Sequence, residues 1–329
     1  MISNLLSCPG AYCTMCVKTQ MECQDPEIIK AGFIIDRDLQ GIKDLALSLT
    51  DPDTGEVVRK KKDYSTRQGV CGQPLTESDL TKTVPVCHSK IRSFEWIIDF
   101  LVRALSHKKW RTATNGVTFT KEENEDYKAK REMVKEWLYK HLAINIGNPG
   151  DMLTGQSFQK FSSDAGRALL VSLMSEDDQE AFNQILLGIC AVVKVMNSQK
   201  RRVNIEKVRT LSQDVYLAIV EHFPWAVVSP SVHRILAHSW EVMELNGGYG
   251  LGDLSEEGLE SLNKMIRSRR EHGARKDKTE NNFTDCYNHL WDGSRPTIVA
   301  MERIIKCKKA KIFIATEIEA LVETLFLEE

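Results

Sequence analysis

Cys13-Thr-Met-Cys16 and, near the other end of a 329-residue chain, His233-Arg-Ile-Leu-Ala-His238 are the stretches whose reading decides the fold. Tetrahedral zinc takes Cys and His pairs of this kind, because two thiolates and two neutral imidazoles meet at one ion only when a short run of backbone holds each pair. If the pairs meet, the ends of the chain are stapled together. Each pair also has a plainer reading. Cys8 and Cys23 flank the first pair, so it could serve a local zinc site or consist of buried thiols. The histidines stand five residues apart, which on a regular α-helix turns one away from the other by roughly 140°. They could still grip one ion if the helix tightens or ends between them, a four-residue gap lying inside the usual His-x₃₋₅-His range, and the plainer reading is two ordinary core or surface histidines.

Between the pairs, hydrophobic periodicity predicts helix. From His88 onward Ile91, Phe94, Ile98, Leu101 and Leu105 step by three and four, which lays them along one helical face. A second helix spans Lys121 to Leu142, with Tyr127, Val134, Trp137, Leu138 and His141 on its apolar side, and stops at Gly147-Asn-Pro-Gly150. A third follows Ser175-Glu-Asp-Asp178, whose acids suit a positive helix N-terminus, and carries Phe182, Ile185, Leu186, Ile189, Val193 and Met196. A fourth runs from Leu211 until Pro224 stops it. Residues Ile298 to Glu329 read as helix broken near Lys311, with Ile312 to Thr316 as an alternative short strand. The segment up to about Lys82, with a turn at Asp51-Pro-Asp-Thr-Gly55 and the basic run Arg59-Lys-Lys-Lys62, reads as loops or short strands. The expected fold class is mostly α (α+β). Three segments are expected: the CxxC-containing 1–87, a helical zinc-binding 88–240, and a helical C-terminal 241–329.

Composition narrows the function classes. A chain 42% hydrophobic is long enough for one large core or two ordinary ones, which argues against disorder. A net charge of −2 does not advertise a nucleic-acid binder, although it averages over local patches. Nine cysteines and no basic, apolar leader predict reduced thiols in cytosol or nucleus, free to bind metal. The apolar run Ile185 to Val193 is shorter than the roughly 20 residues a bilayer span takes, so no membrane is expected.

The Ser255-Glu-Glu-Gly-Leu-Glu260-Ser-Leu-Asn-Lys264 segment offers a candidate catalytic carboxylate in Glu260. Its plainer reading is a surface ion pair with Lys264, four residues on, while Leu259, Leu262 and Ile266 face the core. A basic stretch follows: Lys264, Arg267, Arg269, Arg270, Arg275, Lys276 and Lys278. Such a run is usually a solvated face, yet it could also track a phosphate backbone. No aromatic residue interrupts it, so base stacking is not suggested.

Taken together, Cys13-Thr-Met-Cys16, His233-Arg-Ile-Leu-Ala-His238 and Glu257-Gly-Leu-Glu260-Ser-Leu-Asn-Lys264 resemble the C-terminal catalytic region of the family of V(D)J recombination-activating protein 1 and the Transib transposases. Val84-Pro-Val-Cys-His88, Leu153-Thr-Gly155-Gln-Ser-Phe158-Gln-Lys160 and Met174-Ser-Glu-Asp-Asp178 resemble that family in the same order, so the likeness runs from about Cys13 to Pro296. The resemblance implies the C-terminal part of an RNase H-like recombinase core, with a large helical zinc-binding insertion before the helix of the last catalytic acid. Cys13, Cys16, His233 and His238 would hold a structural zinc, and Glu260 would be the Glu of an Asp-Asp-Glu set. Lys264, Arg267, Arg269 and Arg270 would contact DNA. A homodimer or a recombinase partner and a nuclear location are implied as well.

In that family the carboxylates hold two Mg²⁺ or Mn²⁺ ions for attack on a DNA phosphodiester, and both aspartates lie upstream of the CxxC. No Asp stands between Met1 and Cys16, and Asp25, Asp36 and Asp38 follow it. The expectation is therefore a truncated, recombinase-like chain with an incomplete site, binding Mg²⁺ or Mn²⁺ only if the missing aspartates are supplied and showing no DNA cleavage alone. The alternative from another class is a zinc-stabilised helical interaction module without nucleic-acid activity.

Overall fold

A computed structural model describes residues 13, 15–51, 53, 84–111, 116–146, 155–255, 265–268, 270–293 and 316–327. It divides into two compact units, Met1–Leu254 with Ala315–Glu329, and Ser255–Ile314. Among the described residues the protein is mostly helical, and the only β pairing is two isolated bridges, Arg202 with Tyr249 and Val203 with Phe326.

The first unit begins with α1 (Pro26–Ala31) and α2 (Leu39–Ser48). Strands or loops were expected there. Instead the Asp25 carboxylate accepts the Glu27 N–H with Pro26 at the first helical position, and Asp38 accepts the Gly41 N–H. Each acid satisfies a donor that a helix start would otherwise leave orphaned. Next come α3 (Val86–Leu105) and α4 (Lys121–Leu142). In α4 the Thr120 hydroxyl and the Glu123 carboxylate cap each other's backbone N–H reciprocally. It ends at Ala143, whose left-handed backbone (φ 48°) lets its N–H reach back to Leu138 and Tyr139. The expected stop at 147–150 lies outside the described residues.

Two short helices, α5 (Gly155–Phe161) and α6 (Asp164–Val171), lead to α7 (Glu176–Met196). Glu176, Asp177 and Asp178 occupy the first turn of α7, and from Ile185 onward it is apolar on nearly every side. By length and composition α7 is long and apolar enough to cross a membrane, but 61% of that apolar window is buried here. It is the central helix of the core, with α3, α6 and α8 (Ile205–His222) packed around it. The start of α8 lies upstream of Leu211 because the Asn204 side chain accepts the Lys207 N–H and caps the helix early. Pro224 follows its end at His222, as the ring requires.

Two further pieces close the unit. Helix α9 (Pro230–His233) runs into a π-helical turn (Arg234–His238) and then α10 (Ser239–Leu245). The C-terminal α11 (Thr316–Thr324) returns to α7. It is tied there by Lys194 to Glu319 at 2.7 Å and Arg201 to Glu323 at 2.7 Å. The buried guanidinium of Arg167 in α6 reaches both Asn183 in α7 and Glu317 in α11.

The α7–α8 contact is close because of one residue. A Cβ added at Gly188 would overlap Val215 Cγ2, and both residues are buried. Glycine costs a helix interior about 1 kcal/mol relative to alanine, so exposed positions gain from that exchange. Here the sign should reverse. Gly188→Ala should destabilise by about 1–3 kcal/mol, the usual cost of overpacking. Adding Val215→Ala should recover part of that loss in urea unfolding, whereas strictly additive losses would locate the strain elsewhere.

The second unit contains helical residues 265–268 and 270–272, followed by a helix at Thr279–Gly293. Arg275 binds the Asp285 carboxylate through both Nε and Nη2, at 2.9 Å each, and so fixes the turn before that helix.

Candidate metal centre

Four side chains from the two ends of the sequence meet inside the first unit. The ligand atoms of Cys13, Cys16, His233 and His238 all lie within 4.8 Å of one another. All four residues are buried, the most accessible being Cys13 at 2%. Cys16 Sγ and His233 Nε2, 217 residues apart in sequence, are separated by 3.4 Å. Zn–S and Zn–N bond lengths at a tetrahedral angle give a sulfur-to-nitrogen edge of roughly 3.6 Å. The donor set is therefore close to the size of a zinc coordination sphere.

The backbone explains how the histidines converge. In a π turn the N–H of one residue bonds to the carbonyl five residues back, so positions five apart stack one turn above the other. Arg234–His238 adopts that turn, which puts the His233 and His238 rings on one face with centroids 5.2 Å apart. The helix thus widens between the histidines, whereas tightening or ending were the two routes the spacing suggested for bringing them to one ion.

The CxxC loop is held by residues 33–37. The N–H groups of Asp36 and Arg37 both donate to Met15 O, at 3.2 and 3.1 Å. Arg37 Nε donates to Cys16 O at 3.0 Å, and Asp36 accepts the Val17 N–H at 2.8 Å. Within the loop the Met15 N–H points at Cys13 Sγ, 3.3 Å away, as an amide does that stabilises a thiolate. Phe33 closes the site by setting its ring edge-on to His233, 4.9 Å between centroids.

A metal ion resolves an otherwise costly feature. His238 Nε2 is buried without any hydrogen-bond partner, and an orphaned buried polar atom costs about 1–3 kcal/mol. Coordination would occupy it. The donor chemistry, two thiols and two imidazoles with no carboxylate, fits zinc over magnesium or calcium. Four protein ligands and near-complete burial leave no open position for substrate, so the centre is of the structural kind.

The four groups also influence one another electrostatically. Burial opposes ionisation of Cys13, but the close approach of Cys16, His233 and His238 outweighs it and holds its thiol well below the ordinary range. Cys16 is pushed up by its hydrogen bond to Cys13 and by burial. Burial lowers His233. Burial also works against charge on His238, yet its contacts with Cys13 and Glu241 raise it to about 9. A dication at the centre of the four groups would supply the positive charge that favours the thiolate form of both cysteines.

Two neighbouring residues escaped the sequence reading. Tyr216 Oη lies 3.0 Å from His233 Nδ1, and Glu241 Oε2 lies 3.4 Å from His238 Nδ1. Glu241 stands three residues after His238, the spacing at which helical side chains meet, and was legible on that ground. Tyr216 sits on α8 and carries no local signal.

Of the other predicted site residues, Glu260, Lys264 and Arg269 lie outside the described residues. Arg267 and Arg270 are exposed in the second unit, the guanidinium of Arg270 standing 6.0 Å from the Phe283 ring centroid. An aromatic residue therefore does accompany the basic stretch, from a helix further along the chain. Arg275 is neutralised by Asp285.

These features define a helical protein with a candidate structural Cys₂His₂ zinc centre. No protein-family model matches the chain, and no curated protein matches it.

Proposed function

We propose that this chain is a zinc-organised helical part of a DNA recombinase or transposase-type protein, and that it acts on DNA in the nucleus. The observation that carries the reading is the convergence of Cys13, Cys16, His233 and His238, since the resemblance implied that ligand set before any geometry was known. On this reading zinc is structural. Glu260 supplies one carboxylate of an Asp-Asp-Glu set in an RNase H-like core, and Mg²⁺ or Mn²⁺ binds only where two aspartates join it. Arg267 and Arg270, with Lys264 and Arg269, contact the phosphate backbone. Partnership with a second copy or with another recombinase subunit belongs to the same reading.

The test is binding of zinc-loaded protein to duplex DNA of arbitrary sequence across a salt series. Phosphate contacts release counterions, so log K should fall linearly with log salt. Arg267→Ala and Arg270→Ala should each weaken binding and reduce the slope by about 1. Binding that is absent at low salt, or indifferent to salt, would remove DNA as the partner.

One observation favours a second reading, a zinc-stabilised helical interaction module. Phe283, Tyr287 and Trp291 recur every four residues on one helix and are each more than 60% exposed. An aromatic stripe of that kind suits a protein partner. Failure of the salt test together with self-association would favour it.

A further inference from the structure

In a neutral imidazole one ring nitrogen carries the proton and the other offers a lone pair. A histidine that binds metal through Nε2 must keep its proton on Nδ1, and the group facing Nδ1 decides whether it does. His238 Nδ1 faces the Glu241 carboxylate, which in its ionised form can only accept. His233 Nδ1 faces the Tyr216 hydroxyl, which can donate or accept. Its oxygen can accept the His233 Nδ1 proton while its own proton turns away, toward the neighbouring buried Cys23.

We infer that Tyr216 and Glu241 are positioning residues that hold both imidazoles in the Nδ1-protonated tautomer and so present Nε2 of each to the metal. This rests on the zinc reading of the site. Two observations place the Nε2 atoms inward independently of that hydrogen-bonding logic: the 3.4 Å approach of His233 Nε2 to Cys16 Sγ and the partnerless, buried His238 Nε2. Glu241 does a second job. Its two oxygens both accept the Ile35 N–H, each at 3.0 Å. Ile35 adjoins Asp36 and Arg37, whose backbone and side chains grip the CxxC loop. Glu241 therefore ties the histidine pair to the segment that shapes the cysteine pair.

The experiment is zinc affinity of the full chain by competition with a chromophoric chelator, for wild type, Tyr216→Phe, Glu241→Gln and the ligand variant Cys13→Ser. Tyr216→Phe keeps the ring in place, and Glu241→Gln keeps the shape and loses the charge. Each should weaken zinc about 10- to 100-fold, the usual range for groups that orient metal-bound histidines. Each should still bind one zinc at saturation. Imidazole ¹⁵N–¹H correlation spectra of the loaded protein should show both rings protonated at Nδ1 and metal-bound at Nε2, with Tyr216→Phe shifting only the His233 Nδ1–H and Glu241→Gln only that of His238, a pattern that a merely structural role would not produce. Affinities within twofold of wild type in both variants, or coordination through Nδ1, would overturn the inference. If those results came with loss of zinc in Cys13→Ser, the zinc reading itself would stand. Absence of zinc from the wild type would overturn both.

Discussion

Cys13→Ser and His238→Ala should each abolish the single tightly bound zinc and detach the N-terminal segment from the helical core. The magnitude follows from coupling between binding and folding. Structural zinc contributes about 10–16 kcal/mol in small zinc-finger peptides, where no site exists until the chain folds. Here the segment 15–37 reaches the rest through the metal centre, through the Glu241 hydrogen bonds to Ile35, and through α1, which packs on α8 with Ile29 and Phe33 in the core; of these only the metal centre holds the CxxC loop itself. The core built on α7 and α8 has its own apolar packing and should survive. Removal of zinc should therefore produce a two-stage loss, with early protease cleavage between residues 17 and 48 and later melting of the core. Zinc content by elemental analysis, beside limited proteolysis with and without chelator, measures both stages. A single unchanged transition would mean that the four side chains do not hold the ends together.

The two ligand variants discriminate between architectures. A site local to the N-terminus would lose zinc in Cys13→Ser and keep it in His238→Ala. The shared site loses it in both, because neither the serine hydroxyl nor alanine replaces the thiolate or imidazole that completes the set around a buried dication. Low pH should act in the same direction as the substitutions. Thiolate and neutral imidazole are the binding forms, so protonation competes with the ion and releases it as pH falls.

The ligand types were legible in the sequence because metal chemistry restricts which residues can pair at short spacing. Their convergence was not legible from spacing and was expected only through the family resemblance. Helical geometry at 3.6 residues per turn sets His233 and His238 on different faces, and only the π turn brings them together. Nothing in Arg234-Ile-Leu-Ala announces that turn. The bounds of α4 could be read because a capping box at Thr120 and Glu123 marks the start. The start of α8 was missed because its cap, Asn204, lies among polar residues that masked the beginning of the periodic pattern. Asp25-Pro26 carried a helix-start signature that was outweighed by the loop-like composition around it. Tyr216 was invisible for a different reason: its role depends on a contact across elements.

Phe100→Ala should be the most damaging single truncation away from the metal, costing about 3–5 kcal/mol. Phe100 in α3 is fully buried and lies at the centre of four other rings. Phe182 of α7 stacks on it at 5.4 Å with only 4° between planes, and Phe223 meets it edge-on at 4.9 Å. Trp225 and Trp96 approach to 5.0 and 5.3 Å. Truncation removes the transfer free energy of one ring, leaves a cavity that rigid neighbours cannot fill, and forfeits several aromatic pairings at once. The damage should spread toward the metal centre in a definite way. The Trp96 indole N–H donates to Val227 O at 2.8 Å, in the segment that leads into α9 and His233. Phe100→Ala should thus lower the urea midpoint strongly and weaken zinc modestly, while still binding one zinc at saturation because no ligand or ligand-orienting group is lost. Phe100→Leu, which refills part of the space, should recover a substantial share of the stability. A loss below about 1 kcal/mol in Phe100→Ala would show that the four surrounding rings collapse around the gap, since a core residue that costs so little to truncate is one whose neighbours can move.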